Sequence, residues 1–240
     1  MTSVGTFAER LARIEDRIGA ACRRAGRERS TVRLMAVSKT HSAESIAEAV
    51  ASGVTLFGEN RVQDFEAKRA RLLELGVSGA EFHLVGHLQS NKSNKAAELF
   101  TGIDSLDSTR LAERLNDAAG RLGKSLYVLL EMKLSAEPTK TGLDPDGPEL
   151  HDLLDRLPSL EHLRMRGLMT IAPLDENPET AHACFRQLRG LQKRLMLGFP
   201  RLDFSELSMG MSGDFELAIE EGSTLVRIGT ALFGERPRLR

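Results

Sequence analysis

"LMAVSKTHSAESIAEAVASG", residues 34–53, reads as one strand followed by one helix. Leu34 to Val37 form an apolar run of the kind a buried strand shows. Ser42 has an N-cap side chain, Gly53 is a C-terminal stop, and the residues between them have helix periodicity. Between strand and helix stand Ser38 and Lys39, so a cation sits where an apolar strand ends.

The same alternation runs along the chain. "VRLMAV" (32–37), "VTLF" (54–57), "FHLV" (82–85), "SLYVLLEM" (125–132), "LRMRGLM" (163–169) and "TLVRI" (224–228) read as strands, and "GIDSL" (102–106) and "LDFSEL" (202–207) are weaker examples. "STRLAERLNDAAGRLG" (108–123) is bracketed by Ser108 and Gly123, and Phe185, Leu188, Leu191 and Leu195 share one face of a helix that starts near Pro178. Eight strands, seven of them followed by a helical stretch, imply βαβ units and a parallel sheet. In 240 residues this predicts an α/β fold, a single (β/α)8 TIM-type barrel. The sequence ends soon after "LVRIGTALFG" (225–234), where an eighth helix would follow. Phe7, Leu11, Ile14 and Ile18 predict an extra N-terminal helix that covers this gap. An open doubly wound sheet is the competitor, but no GxGxxG follows a strand. No linker or repeat divides the chain, and residues 1–240 are expected to form one domain.

Lys plus Arg number 33 and Asp plus Glu 34, so there is no global field to recruit nucleic acid or an anionic membrane. "MTSVGTFAERLARIEDRIG" (1–19) lacks an apolar leader and no long uncharged apolar run follows, so a cytoplasmic protein is expected. Cys22 and Cys184 fall in helical patterns without metal-ligand spacing and read as small buried hydrophobes; no metal site is expected.

In such a barrel the loops after the strands build the active site. Those loops hold Lys39, "FGENRVQDF" (57–65), "HLVGHLQSNK" (83–92), "GLMTIAP" (167–173), "SMGMSGDF" (208–215) and "RIGTALFG" (227–234). A lone lysine after a strand is most often a solvated cation. In a barrel mouth, desolvation lowers its pKa and makes it a nucleophile able to form a Schiff base with an aldehyde, pyridoxal phosphate being the most familiar. Such a ligand needs a phosphate cup. Ser208, the glycine turn after it, a helix start near Asp214, and Gly229 with Thr230 supply the pieces. Each piece alone is usually only a turn, but here they follow adjacent strands at the place where TIM folds commonly bind phosphate. Arg227, a charge inside an apolar strand, has two readings: a salt bridge to a core carboxylate, or a cation beside the pyridine nitrogen that keeps it unprotonated.

In this order, "MAVSKT", "FGENRVQ", "HLVGHLQSNK", "GLMTIAP", "SMGMSGDFELAIEEG" and "VRIGTALFG" resemble the YggS/PROSC-type pyridoxal phosphate homeostasis family, which is related to the barrel domain of alanine racemase. The likeness runs from about residue 6 to 235. It implies that Lys39 is the Schiff-base lysine, that Asn60 lines the cofactor face, and that Ser208, Gly229 and Thr230 bind the phosphate. It implies also that Arg227 faces the pyridine nitrogen and that Val37, His83, Met169 and Met209 line the ring pocket, with core packing equally open for both methionines. Lys133 departs from the pattern, since many members carry asparagine there. Lys140 and Gly142 match, with Lys140 either a secondary contact or a solvated loop lysine.

Related racemases take a second base, a tyrosine, from an all-β domain of the partner subunit. This length leaves no room for that domain, and the only tyrosine, Tyr127, begins a strand and so belongs at the opposite end of the barrel. The expected function is that of a monomeric carrier and buffer of pyridoxal 5'-phosphate (PLP), active in vitamin B6 and amino-acid homeostasis, handing the cofactor to apo-enzymes without efficient catalysis. The alternative is an amino-acid racemase or other small PLP-dependent enzyme with His41, His83 or His87 as opposing base. A pure interaction protein is a third reading.

Overall fold

The computed structural model describes residues 5–135 and 141–234. Among these residues eight strands, β1 (Arg33–Val37), β2 (Leu56–Glu59), β3 (Glu81–Leu84), β4 (Gly102–Leu106), β5 (Leu126–Glu131), β6 (Leu163–Met169), β7 (Glu206–Ser208) and β8 (Leu225–Ile228), pair in parallel and in chain order. β8 returns to pair with β1, Met35 opposite Arg227, and closes the barrel. Parallel neighbours need crossovers, and helices provide them. They are α1 (Phe7–Arg24), α2 (Ala43–Ala51), α3 (Val62–Glu74), α4 (Ser93–Leu99), α5 (Thr109–Arg121), α6 (Pro148–Arg156), α7 (Pro178–Gly198), α8 (Phe215–Glu220) and α9 (Thr230–Phe233).

Local chemistry explains the boundaries. Thr6 and Glu9 form a capping box at the start of α1, which buries Phe7, Ile14 and Ile18 and packs on α8 and α9. The N-terminal helix therefore lies where it was expected, over the elements that follow β7 and β8. Ser42 caps α2 through the Ser45 amide at 3.3 Å, and Ser108 caps α5 through that of Leu111. β6 and β4 have the expected bounds. β2 does not: it runs to Glu59 instead of stopping at Phe57, because Gly58 and Glu59 continue the pairing opposite His83 and Leu84. β7 is shorter than "LDFSEL", since the Asp203 side chain accepts the Ser205 amide and makes a turn of those residues.

Two apolar cores result. The larger lies between the sheet and the helices, and the smaller, built by Met35, Leu56, Leu129, Met169 and Leu225, fills the barrel. Tight filling makes the barrel a rigid mount, so groups at its ends are held in place. Among the described residues no helix is long and apolar enough to cross a membrane, and no group of His, Cys, Asp or Glu could hold a metal ion.

Candidate active site at the barrel mouth

At the C-terminal end of β1 the chain turns sharply. The His41 amide donates to the Ser38 carbonyl at 3.1 Å, so residues 38–41 form a four-residue turn with Lys39 and Thr40 at its corners. Thr40 has φ 68°, the left-handed region that β-branched residues avoid. Lys39 is half-buried, while Ser38 is fully buried, its amide on Gly58 and its hydroxyl on Glu59 Oε1 at 2.7 Å. A strained backbone beside a half-buried lysine at the end of a barrel strand makes this turn a candidate functional position.

β8 places a second cation inside the barrel. Arg227 is buried, with Nη1 donating to Ser208 Oγ and Nη2 to the Thr170 carbonyl, both at 2.8 Å. Burial pushes its pKa down, while the fields of Asp104, Asp214 and Glu131 push the other way. A guanidinium stays protonated in proteins, so this is a full charge on neutral acceptors. Among the described residues its bonds go to a hydroxyl and a carbonyl, and no carboxylate is paired with it.

These bonds give the Ser208 hydroxyl a partner within the barrel. It is buried beneath Arg227 and supports the guanidinium. The hydroxyl that faces backbone amides is Ser212, four residues on, whose Oγ accepts from Gly229 at 3.3 Å and Ala231 at 3.4 Å. Both bonds are long and therefore weak. Thr230, exposed, stands between those two amides, and Asp214 orders the preceding loop by accepting the Met211 amide at 2.6 Å. Burial raises the pKa of Asp214. Val37 adjoins this corner, its carbonyl 3.4 Å from where a side chain on Gly229 would begin.

After β2, Asn60 is half-buried and lies over Gly86, where any Cβ would meet its carbonyl oxygen at 2.3 Å. Glycine at 86 is thus required for Asn60 to sit there. Met169, the last residue of β6, belongs to the barrel's inner cluster. Glu131, at the end of β5, went unnoticed within an apolar run. Its Oε1 accepts from Thr141 at 3.3 Å, its Oε2 has no hydrogen-bond partner among the described residues, and burial followed by the charge of Asp107 raises its pKa. Lys133 is half-buried and pairs through its backbone with Leu143. Lys140 lies outside the described residues.

Two expected ring-pocket residues are placed elsewhere. Met209 is wholly buried in the outer core, between sheet and helices. His83 lines a cavity of about 90 Å³ with Arg33, Glu81, Asp104, Tyr127 and Glu206, a set dominated by the N-terminal ends of strands. Its ring packs against Gly102, where a Cβ would come within 2.6 Å, and its Nδ1 bonds to Asp104 at 2.8 Å. Tyr127 is at that end too, as expected. The other two histidines proposed as opposing bases have partners of their own. His41 stacks on Phe233 with centroids 4.7 Å apart, and His87 is bonded to Asp107 at 3.0 Å.

The C-terminal mouth thus collects Lys39, Val37, Asn60, Met169, Arg227, Gly229 and Thr230, to which the structure adds Ser212 and Glu131. Chemically it offers an amine on a fixed turn, a buried cation, and amide donors held by weak bonds.

Known proteins give this arrangement its family. The alanine racemase N-terminal domain model matches residues 10–237. A pyridoxal phosphate homeostasis protein of Aquifex aeolicus is 42% identical over 228 residues, 95% of this chain and 97% of that protein, and one of Escherichia coli K12 is 42% identical over 230 residues. PipY of Synechococcus elongatus, whose structure was solved with PLP bound, superposes with a TM-score of 0.83 at 44% identity, covering 95% of this chain and all of that one. An alanine racemase of Clostridium difficile shares the fold alone, with a TM-score of 0.71 at 17% identity over 94% of this chain and 56% of its own. The chain belongs to the alanine racemase N-terminal domain family and, within it, groups with the pyridoxal phosphate homeostasis proteins.

Proposed function

We propose that this protein binds PLP reversibly through a Schiff base on Lys39 and serves as its carrier and buffer in vitamin B6 and amino-acid homeostasis. The observation that most supports this reading is Arg227, a buried full charge on neutral acceptors at the end of the barrel where Lys39 sits. A cation there matches an unprotonated pyridine nitrogen and costs least when a ligand shares its environment. The Gly229 and Ala231 amides, held by Ser212 at 3.3 and 3.4 Å, fit a phosphate, which as a stronger acceptor would draw them in. The near full-length likeness to proteins named for PLP homeostasis points the same way.

PLP supplies an aldehyde that exchanges between amines and a ring that withdraws electrons best when its nitrogen is protonated. In this reading Lys39 holds the aldehyde, Val37, Asn60 and Met169 border the ring, and Ser212, Gly229 and Thr230 take the phosphate. Arg227 keeps the ring nitrogen unprotonated, which suppresses carbanion chemistry. The protein would then act as a monomer of one domain, 1–240, in the cytoplasm, with apo-enzymes as recipients. Two measurements test this: reactivation of a PLP-requiring apo-enzyme by the loaded protein, and solvent deuterium entry at Cα of L-alanine. A carrier reactivates the apo-enzyme and exchanges Cα hydrogen slowly. Exchange at ordinary enzyme rates, lost in Lys39→Ala, would establish a catalyst instead.

A further inference from the structure

Lys68, in the middle of α3, reaches across β2 toward the turn that carries Lys39. Its Nζ lies 2.6 Å from Glu59 Oε1 and donates to the Ser38 carbonyl at 3.2 Å. Glu59 Oε1 also accepts the Ser38 hydroxyl, and the Ser38 carbonyl also accepts the His41 amide. The three residues close a ring of bonds on the outer side of the barrel wall, with Glu59 fully buried and the Lys68 side chain only 13% exposed.

A buried ion pair is an expensive way to dock a helix on a strand, since apolar side chains would do so without the cost of desolvating two charges. What this pair supplies in addition is a charged donor on the carbonyl that opens the turn. That turn needs restraint. Its third residue, Thr40, is left-handed while Lys39 is not, the pattern of a type II turn, where glycine or asparagine is the usual occupant. An unrestrained threonine there would relax to negative φ and swing Lys39 off its position.

We propose that Glu59 and Lys68 are positioning residues that clamp the Ser38–His41 turn and so hold Lys39 at the mouth. Neither would touch the cofactor. The proposal rests on Lys39 being the PLP-bearing lysine, but its central step, the clamp, can be read without PLP.

The test uses the full chain carrying Glu59→Gln with Lys68→Met, which removes both charges together and strands neither. Thr40→Gly is then added, giving the turn a residue at ease with positive φ. Two readouts are taken on folded protein, confirmed by circular dichroism: hydrogen exchange of the His41 amide without PLP, and PLP titration by visible absorption. Exchange should quicken about tenfold and PLP affinity fall about tenfold in the double variant, and Thr40→Gly should recover most of both. Lys68→Arg covers the case in which the neutral pair does not fold. It keeps the charge on Glu59 but moves the donor off the Ser38 carbonyl, and His41 exchange should rise at least about threefold. Unchanged His41 exchange in a folded variant overturns the proposal, as does a loss that Thr40→Gly leaves in place, because the pair would then only anchor α3. If the unaltered chain shows no PLP on Lys39, the site reading fails by itself, and His41 exchange still decides the clamp.

Discussion

Inside the barrel wall the two ends both hold charged groups and settle them in opposite ways; the Lys68–Glu59 pair lies on the outer side of that wall. At the N-terminal end the charges face each other: His83 meets Asp104 at 2.8 Å, Arg33 lies 3.4 Å from Glu206 and 3.7 Å from Glu81, and Arg166 sits over the Tyr127 ring. At the C-terminal end the Arg227 guanidinium rests on a hydroxyl and a carbonyl. Each end leaves some buried atoms without a partner, His83 Nε2 and Asp104 Oδ2 at one and Glu131 Oε2 at the other. The difference lies in the pairing of full charges. An end that neutralises itself contributes to stability, whereas an end that keeps a buried cation and weakly held amides has the chemistry to accept an anionic ligand.

The sharpest way to break this comparison is to remove one arginine from each end. Arg227→Met should weaken PLP binding about tenfold or more and destabilise the fold by about 1–3 kcal/mol, since Ser208 Oγ and the Thr170 carbonyl lose their donor. Arg33→Met, at the half-exposed N-terminal rim, should cost less than about 1 kcal/mol and leave PLP binding unchanged. Urea unfolding and absorbance titration read both. Equal effects on PLP would erase the distinction between the ends.

Within the mouth, the two serines should separate. Ser212→Ala should weaken PLP about tenfold while leaving the dephosphorylated aldehyde pyridoxal unaffected, because only the phosphate meets that corner. Ser208→Ala should cost about 1 kcal/mol of stability through Arg227 and spare the phosphate contribution. The reverse pattern would restore Ser208 to the cup.

The N-terminal end should show itself in pH. Burial works against the charged form of His83, but the charge and hydrogen bond of Asp104, with Glu206 and Glu81 beyond, raise its pKa above the ordinary imidazole value. A raised folded value means that the contribution to stability is complete below the unfolded pKa of about 6.5 and is lost as pH climbs through the folded one. Thermal stability of Asp104→Asn should therefore vary less with pH above about 6.5 than that of the unaltered chain. PLP affinity should not follow this difference.

The smallest effect is expected at Glu131. Burial and Asp107 raise its pKa, so its stabilising share is present at low pH and lost as the carboxyl ionises. Glu131→Gln should raise stability at neutral pH by less than about 1 kcal/mol and flatten the acid limb of the profile.

The barrel was legible because its evidence is local and repeated: apolar runs, caps and helix periodicity report each βα unit separately. Arg227 stood out for the same reason, as a charge inside an apolar strand. The structure departs from the expected placements where side-chain parity decides. Ser208 and Ser212 lie four apart in one motif, and only the end of β7 at Ser208 shows that the first turns inward beneath Arg227. His83 sits in "HLVGHLQSNK" beside rim residues, yet as the third residue of β3 it shares its face with Glu81 and lies deeper in the barrel. Glu131 is hidden in an apolar strand. Lys68 is one of many helix cations, and nothing short of the folded geometry brings it to Ser38.

The most direct test of the account is to load the unaltered chain with PLP, reduce it with borohydride and map the modified peptide by mass. One phosphopyridoxyl group is expected, on Lys39, absent from Lys39→Ala along with the visible band. Modification centred on Lys68, Lys133 or Lys140, or spread over surface lysines, would contradict it.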